Sequence, residues 1–333
     1  MRLLLASITL VPALSATAEV TRTLRTELTA SEAAHFSVEN LVGSIRVTPG
    51  PGPSVVVVAT VFAETQALAD TLSFERRTWE DGAPVVRLSW PIAAHREYRH
   101  PGSPGRTSLS YAEDGSTNGA GLSRVRVSRD HGVLLYADLQ VEVPRRELHA
   151  AFYNRVGPVR ASGVAGALRF DTAGGDISLD HVSGDVLADS GSGDVVAEAI
   201  SGSFRCDTGS GNCEVLGFQG DRLSLDTGSG NLHLRDVKAR VIEADTGSGN
   251  VEAELGRIER LRADTGSGDV RLRLPRDLSF ELRADTGSGE VESRFPDSEP
   301  ILRRREVVGF RRGDGAARID VDTGSGDVSV EPH

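Results

Sequence analysis

The stretch Leu223-Ser-Leu-Asp-Thr-Gly-Ser-Gly-Asn-Leu-His-Leu-Arg-Asp-Val237 contains a glycine-rich corner between two runs of alternating residues. Apolar and polar side chains alternate on both sides of the glycines, which is the period-2 pattern of half-buried β-strands. Gly-Ser-Gly between the runs is typical of a sharp corner, where glycine can adopt the positive φ that a tight turn needs. The stretch therefore predicts a strand, a corner and a second strand.

This corner recurs eight times in the second half of the 333-residue chain. Its leading Asp lies at Asp171, Asp189, Asp207, Asp226, Asp245, Asp264, Asp285 and Asp322, so the gaps are 18, 18, 19, 19, 19, 21 and 37 residues. A near-constant period with apolar residues around each copy predicts a solenoid, in which every repeat buries its apolar face against its neighbours.

A second, weaker corner recurs about half a period away, for example at Val182-Ser-Gly-Asp-Val186 and Ile200-Ser-Gly-Ser-Phe204. Two strands and two corners per coil predict an all-β fold, a flattened single-stranded β-solenoid (β-helix) with about 18–19 residues per coil. A three-sided hexapeptide helix is the alternative for a coil of this length. It ranks second because no six-residue period is visible.

The N-terminus has the pattern of an export signal. Arg2 precedes an apolar run from Leu3 to Leu14, and Ala16-Thr-Ala18 follows, so residues 1–18 are predicted to be a signal peptide cleaved before Glu19. The apolar run is too short for a membrane span, and no transmembrane segment is expected in the mature chain. The formal charge of −11 argues against nucleic acid as a partner.

The remaining sequence divides into two predicted regions. Residues 19–150 are expected to form an N-terminal strand-rich cap, in which 91–124 is a long mobile loop rich in Pro, Gly and Ser. Ala63–Leu72 is a candidate short helix within the cap. Residues 151–333 are expected to form the solenoid repeats, with an irregular insertion near 295–315 that bulges from one enlarged coil before the pattern resumes.

The layout resembles a known family. The carrying features are the early segment Asn40-Leu-Val-Gly-Ser-Ile-Arg-Val47, the strand end Val141-Glu-Val-Pro-Arg145 and the repeated Thr-Gly-Ser-Gly-Asp/Asn-Val coils. Together they are similar to the bacterial putative-adhesin family, a domain-of-unknown-function group related to the head domains of autotransporter adhesins. The resemblance covers nearly all of the mature chain. It implies the solenoid fold and carries no catalytic motif.

One motif matches a catalytic signature but does not fit its chemistry. Leu225-Asp-Thr-Gly-Ser229 matches the active-site phrase of aspartic proteases, but those enzymes need two carboxylates facing each other across a cleft, whereas here the phrase recurs in every coil. No catalytic residue, metal-binding residue, cofactor-binding residue or cofactor is predicted. The Trp and Tyr residues all precede the regular repeats, which leaves the N-terminal region as a candidate binding surface: Trp79, Trp90, Tyr98, Tyr111, Tyr136 and Tyr153.

The corners place two polar columns along the solenoid. One column is the eight leading Asp residues, and the other is Asp176, Asp194, Asn212, Asn231, Asn250, Asp269, Glu290 and Asp327. Stacked carboxylates repel each other, so some interaction must offset the repulsion. We expect each Asp to accept backbone N–H groups of its own corner, as in an Asx-turn. The alternative is Ca²⁺ bound between coils.

The two cysteines, Cys206 and Cys213, flank one corner at positions that hold Leu225 and Leu232 one coil later. Both are therefore expected to point into the core from facing strands. An exported protein meets oxidising conditions, which favours a disulfide between them. The alternative is a pair of buried thiols that act as small apolar side chains.

Taken together, these features predict an exported, non-enzymatic structural or adhesin-like β-solenoid of the bacterial envelope. Its location is expected to be the periplasm, the cell surface or the medium, with an unidentified envelope or surface partner. One alternative is a carbohydrate-active or other envelope enzyme on a β-helix. Another is a periplasmic scaffold or sensor for envelope stress.

Overall fold

Residues 19–79, 82–103, 105–117, 121–304 and 306–333 are described by a computed structural model. The predicted signal peptide, 1–18, lies outside them. Before the regular repeats the elements are β1 (Val20–Leu28), a 3-10 turn (Glu32–Ala34), β2 (His35–Pro49), β3 (Val55–Ala63), α1 (Gln66–Ala69), β4 (Ser73–Thr78), β5 (Pro84–Ser89), β6 (Glu97–Arg99), β7 (Thr107–Tyr111), β8 (Ser123–Ser128), β9 (Val133–Val143) and β10 (Glu147–Val156).

The repeats consist almost entirely of short strands. In chain order they are β11 (Val159–Ser162), β12 (Ala165–Thr172), β13 (Ile177–Asp180), β14 (Ser183–Ser190), β15 (Val195–Glu198), β16 (Ser201–Thr208), β17 (Cys213–Thr227), β18 (Leu232–Thr246), β19 (Val251–Leu255), β20 (Arg260–Thr265), β21 (Val270–Leu274), β22 (Phe280–Thr286), β23 (Val291–Ser293), β24 (Glu299–Arg303), β25 (Glu306–Arg312), β26 (Ala317–Thr323) and β27 (Val328–Pro332).

Parallel pairing stacks the strands into two walls. The first wall runs in spatial order β5, β2, β10, β12, β14, β16, β17, β18, β20, β26 and β22. The second wall runs β9, β2, β11, β13, β15, β17, β18, β19, β21, β27 and β23. Because β2, β17 and β18 bend around a corner, each contributes to both walls. The predicted all-β solenoid is confirmed.

Alternation along the strands creates a narrow core between the walls. Leu223 and Leu225 on β17, and Leu232 and Leu234 on β18, are at most 4% exposed. Each is covered by the equivalent residue of the next coil, since Leu225 pairs with Ala244 and Leu232 with Val251. A single coil could not exclude water from these side chains, so the coils stabilise one another.

The corner glycines are required for a different reason than the sequence suggested. None of the Gly-Ser-Gly glycines has the positive φ expected of them. A Cβ atom on Gly230 would instead lie 1.9 Å from the carbonyl oxygen of Gly211 in the preceding coil, and Gly249 stands in the same relation to Gly230. Positive φ occurs at the second corner, as at Gly184 (109°). The main corner therefore needs glycine so that stacked backbones can approach each other.

The last coil does not stack at the end of the solenoid. Strands β26 and β27 lie between the coil of β20 and β21 and the coil of β22 and β23, so Ile319 pairs with Leu261 on one side and Leu282 on the other. The prediction that the pattern simply resumes after the 295–315 insertion is wrong in its spatial order. The insertion contains the antiparallel hairpin β24–β25, and β25 pairs with the outer edge of β22. The hairpin therefore carries the chain around the outer edge of the coil of β22 and β23. The chain then returns to form β26 and β27 on the inner side of that coil.

The N-terminal end is also closed by antiparallel strands. In the second wall β3 pairs antiparallel with β9 and β1 with β3, and in the first wall β4 pairs with β5. The stack of coils begins at β2, inside the region predicted as the cap, because β10 and β11 stack directly on it. Antiparallel cover protects the parallel walls from pairing with other chains.

Two local predictions for the cap, a short helix and a mobile loop, differ from the structure in detail. The helix expected within Ala63–Leu72 is a single turn, α1, in which the Thr65 hydroxyl accepts the Leu68 N–H. The segment 91–124, expected to be a mobile loop, contains β6 and β7, both paired with β8. Tyr98 and Tyr111 from these strands are buried, which gives the segment an apolar anchor that its Pro- and Gly-rich composition concealed.

Candidate functional site

A column of buried hydroxyl groups lies just inside the main corners. Thr246 is 1% exposed, and its Oγ1 atom donates to the Gly230 carbonyl of the preceding coil at 2.8 Å and accepts the Gly249 N–H of its own corner at 3.0 Å. The same pair of bonds is made by Ser190, Thr208, Thr227, Thr265 and Thr323. The hydroxyl column therefore both closes each corner and joins it to its neighbour.

The second polar column joins coils in another way. Asn231 Oδ1 accepts the backbone N–H of Asn250, and Asn250 Oδ1 accepts the N–H of Asp269 at 2.8 Å. The same bond links the column from Asp176 through to Glu290. The predicted Asx-turn is therefore wrong, because these side chains bond to the next coil while the buried hydroxyl caps their own corner.

The leading Asp column has a third arrangement. Among the described residues its carboxylates accept no backbone N–H, and several pair with arginine: Arg169 Nη2 lies 2.8 Å from Asp171 and 2.7 Å from Asp189. Where no arginine is bonded, as at Asp245, partial burial raises the pKa of the carboxyl and the neighbouring Asp264 and Asp226 raise it further. Within the part of the chain that the structure describes, no three His, Cys, Asp or Glu side chains converge on one position for a metal ion.

The cysteine pair lies across one corner, as its spacing suggested. Cys206 and Cys213 are both fully buried, with Cα atoms 6.9 Å apart and their sulfur atoms joined in the structure. That separation lies just above the usual range for disulfides, about 4.4–6.8 Å, and just within the limit of about 7 Å. The separation permits the bond, and its formation in the protein stays a prediction.

The cap holds a pocket of about 370 Å³ between the first coil and the β4–β5 hairpin. Glu39 of β2 and Arg87 of β5, which pair in register, face it and are 7% and 2% exposed. Arg87 Nη2 donates to Glu75 Oε2 at 2.6 Å and to the Glu113 carbonyl at 2.8 Å. Burial raises the pKa of Glu39, and the charge of Arg155, the largest opposing influence, lowers it. The cap pocket thus combines buried charges of both signs.

Trp79 forms one wall of this pocket. Its side chain is 49% exposed and its Nε1 atom donates to Ser37 Oγ at 2.9 Å, which fixes the ring across the first coil. It is the only exposed aromatic side chain in the described ranges; Trp90, Tyr98 and Tyr111 are buried in the core. Of the aromatic residues that the sequence offered as a binding surface, Trp79 has the one exposed ring, while Tyr136 and Tyr153 are half-buried.

Sequence reasoning missed Glu39 and Arg87. A signal was present for Arg87, which interrupts Val85-Val-Arg-Leu88, whereas Glu39 falls on the polar phase of the alternating stretch Phe36-Ser-Val-Glu39. A charged residue inside a strand that is buried on both sides needs a partner or a function. Only the register of β2 with β5 shows that the two residues meet.

Comparisons with known proteins give the following results. A family model described as Toastrack DUF4097 matches residues 137–331, and no curated protein matches the chain. Helices formed by the described residues lack the length and apolar character needed to cross a membrane.

Three solved structures show a loose likeness. A putative lipid binding protein from Parabacteroides distasonis is 14% identical, with 92% of this chain and 96% of that chain covered and a TM-score of 0.42. A putative adhesin from Bacteroides fragilis is 12% identical, with 95% and 97% covered and a TM-score of 0.37. A putative cell adhesion protein from Clostridium sporogenes is 9% identical, with 94% and 100% covered and a TM-score of 0.24. At these values the likeness supports no argument about function.

Proposed function

Because the chain belongs to the Toastrack DUF4097 family, we propose that it is an exported, non-enzymatic β-solenoid of the bacterial envelope with a structural or adhesin-like role. In this role the stacked coils form a stiff support, and a binding surface lies at the N-terminal end. The mature protein begins at Glu19 and works in the periplasm or at the cell surface.

The observation that carries the proposal is how the repeats use their polar side chains. The hydroxyl column and the second polar column both form hydrogen bonds from one coil to the next, as at Thr246 and Asn231. Exposed charges on the second wall pair between coils, as in Arg273 with Glu254 at 3.1 Å and Arg271 with Glu252 at 3.5 Å. These groups hold the solenoid together, which supports a mechanical role for the repeats and leaves the cap as the proposed binding surface.

Cell fractionation tests export. The full chain with a C-terminal tag should be found in the periplasm, on the surface or in the medium, shortened by residues 1–18. A variant lacking residues 2–18 should stay in the cytoplasm. Retention of the full chain in the cytoplasm would contradict the proposal.

Attachment tests the role itself. A strain without the gene should lose attachment to a surface or show a weakened envelope, and the full gene should restore either trait. A variant lacking β10 to β27 but keeping the signal peptide serves as the control for export alone. Release of sugars or peptides from envelope material by the purified protein would instead favour the enzyme alternative.

A further inference from the structure

The cap pocket contains a charged group that the protein leaves without a hydrogen bond. The Glu39 side chain is 7% exposed and faces the pocket, and no hydrogen bond joins its carboxylate to another described residue. The positive charges of Arg155 and Arg87 offset part of the cost of burying this carboxylate, but its oxygens still lack a hydrogen-bond donor. Its position on the pocket floor indicates a ligand that donates hydrogen bonds.

The other lining groups limit the charge of that ligand. Two carboxylates, Glu39 and Asp114, share the pocket with three guanidinium groups, Arg77, Arg87 and Arg155. Arg87 is held by Glu75 at 2.6 Å and Arg155 lies 3.4 Å from Asp171, so both are already paired. A strongly charged ligand of either sign would meet like charges at close range. A neutral ligand with many hydroxyl groups, each both donor and acceptor, fits both kinds of lining group.

Trp79 adds a flat apolar surface to these polar groups. A sugar ring has one face of C–H groups that stacks on an aromatic ring, while its hydroxyls project from the edge. The pocket volume of about 370 Å³ is near the lower end of the range for small-molecule sites, about 300–1,000 Å³. A volume of this size suits one sugar ring better than an extended chain.

The surface beyond Trp79 provides room for further rings. The other side of Trp79 borders an open trough of about 610 Å³ on the outer face of the first wall. Tyr153, Leu187 and the ring of His149, which stacks on His35 at 4.0 Å, line this trough. Trp79 therefore stands between the cap pocket and a trough that follows the coils.

Resting on the proposed function as a binding protein, we propose that the cap pocket binds the terminal ring of a neutral oligosaccharide, with Trp79 beneath the ring and Glu39 accepting its hydroxyls. The rings that follow lie in the trough along the first wall.

The test uses the purified protein on an array of neutral and acidic glycans, followed by calorimetry with the neutral oligosaccharide that binds best. Trp79→Ala and Glu39→Gln should each weaken binding at least about tenfold, because one removes the stacking surface and the other the anionic acceptor. Trp79→Phe, which keeps a ring, should stay within about threefold of wild type. Thermal melting of each variant checks that it is folded.

Two control variants match the changes in chemistry. Leu302→Ala removes another exposed apolar side chain, 61% exposed on β24, and Glu252→Gln neutralises an exposed carboxylate on the second wall. Neither should alter binding. Binding to no neutral glycan, binding to acidic glycans alone, or equal binding by wild type and the Trp79→Ala and Glu39→Gln variants would each overturn the proposal.

The assay is independent of export and attachment. If wild type and Trp79→Ala attach cells equally well while no glycan binds, this inference fails and the proposed function stands. If glycans bind but the chain stays in the cytoplasm, the proposed function fails and the pocket assignment stands.

Discussion

The Oδ1 atom of Asn231 accepts the backbone N–H of Asn250 at 2.9 Å across the boundary between two coils. The bond requires a side chain whose acceptor oxygen is bonded to Cγ. This requirement restricts the column to Asp and Asn. Glu290 is the exception, and it donates its N–H to Asp327 while no further coil is stacked beyond it. The longer side chain is tolerated because it stands at the outer end of the column.

Gly230→Ala should severely destabilise the protein. The added Cβ would lie 1.9 Å from the Gly211 carbonyl oxygen, and the stacked backbone of the neighbouring coil cannot withdraw without losing its own bonds. We expect a loss of at least about 3 kcal/mol in the free energy of unfolding, measured by urea titration. Gly52→Ala is the matched control, since its Cβ would meet nothing within 4 Å. Equal stability of the two variants would contradict the close-approach argument.

Thr246→Val should cost about 1–3 kcal/mol, because it keeps the shape of the side chain but leaves the buried Gly230 carbonyl and Gly249 N–H without their shared partner. Thr246→Ser keeps the hydroxyl and matches the residue found naturally at Ser190, so it should cost far less. The measurement is again chemical denaturation. Equal losses of unfolding free energy in Thr246→Ser and Thr246→Val would contradict this prediction. The losses would then come from altered packing and not from the missing hydroxyl bonds.

Asp245→Asn should stabilise the protein at pH 7 by less than about 1 kcal/mol, since the side chain is exposed and its repulsion is screened. The pKa of Asp245 is raised in the folded state. The folded protein therefore holds the proton of Asp245 more tightly than the unfolded chain does. This contribution to stability is fully present below the unfolded pKa, and it is lost as the pH rises through the folded pKa. The advantage of the variant should accordingly disappear below about pH 4.

The matched control for this pH dependence is Asp221→Asn. The hydrogen bond from Arg240 lowers the pKa of Asp221, so that substitution should reduce stability at pH 7. Melting curves from pH 3 to 8 compare both variants with wild type. A rise in the melting temperature of wild type in millimolar Ca²⁺, absent from Asp245→Asn, would support the calcium alternative instead.

Cys206 and Cys213 should contain no free thiol in the protein isolated after export. Alkylation without reduction, followed by mass spectrometry, should leave both sulfurs unmodified, and modification only after reduction is the internal control. The double Cys206→Ala, Cys213→Ala variant should lose at most about 3 kcal/mol, because the loop that the bond closes is short. Two alkylated thiols before reduction would establish the alternative of buried free cysteines.

The repeats could be predicted because their alternation is local. Leu223 and Leu225 show their inward direction through their immediate neighbours, so the strands, the corners and the family resemblance were all accessible from the sequence. The order of the last coils was not, because every coil offers the same inward pattern, and Ile319 packs as well on Leu261 as on Leu282. The one usable clue to the order was Glu290, the single residue of the second polar column that is neither Asp nor Asn. Its longer side chain indicates a coil with no further coil to accept a hydrogen bond from.

The cap pocket could not be predicted for a different reason. Glu39 and Arg87 meet only through the register of β2 with β5, and the chain between them includes two antiparallel strands whose pairing the sequence does not specify. Trp79 was identified as an aromatic candidate, but its exposure depends on the antiparallel pairing of β4 with β5 and on its bond to Ser37. The site therefore depends on long-range strand pairing, whereas the solenoid depends on the local alternation of apolar and polar residues.

The placement of β26 and β27 inside the solenoid has a consequence for biosynthesis. A ribosome delivers the N-terminal coils first, and each can dock on the one before it as it emerges. The coil of β22 and β23 leaves the ribosome before the strands that will separate it from β20 and β21. Its final position does not exist until β26 and β27 have been made, so this coil cannot reach its place in the solenoid in the order in which the chain is synthesised.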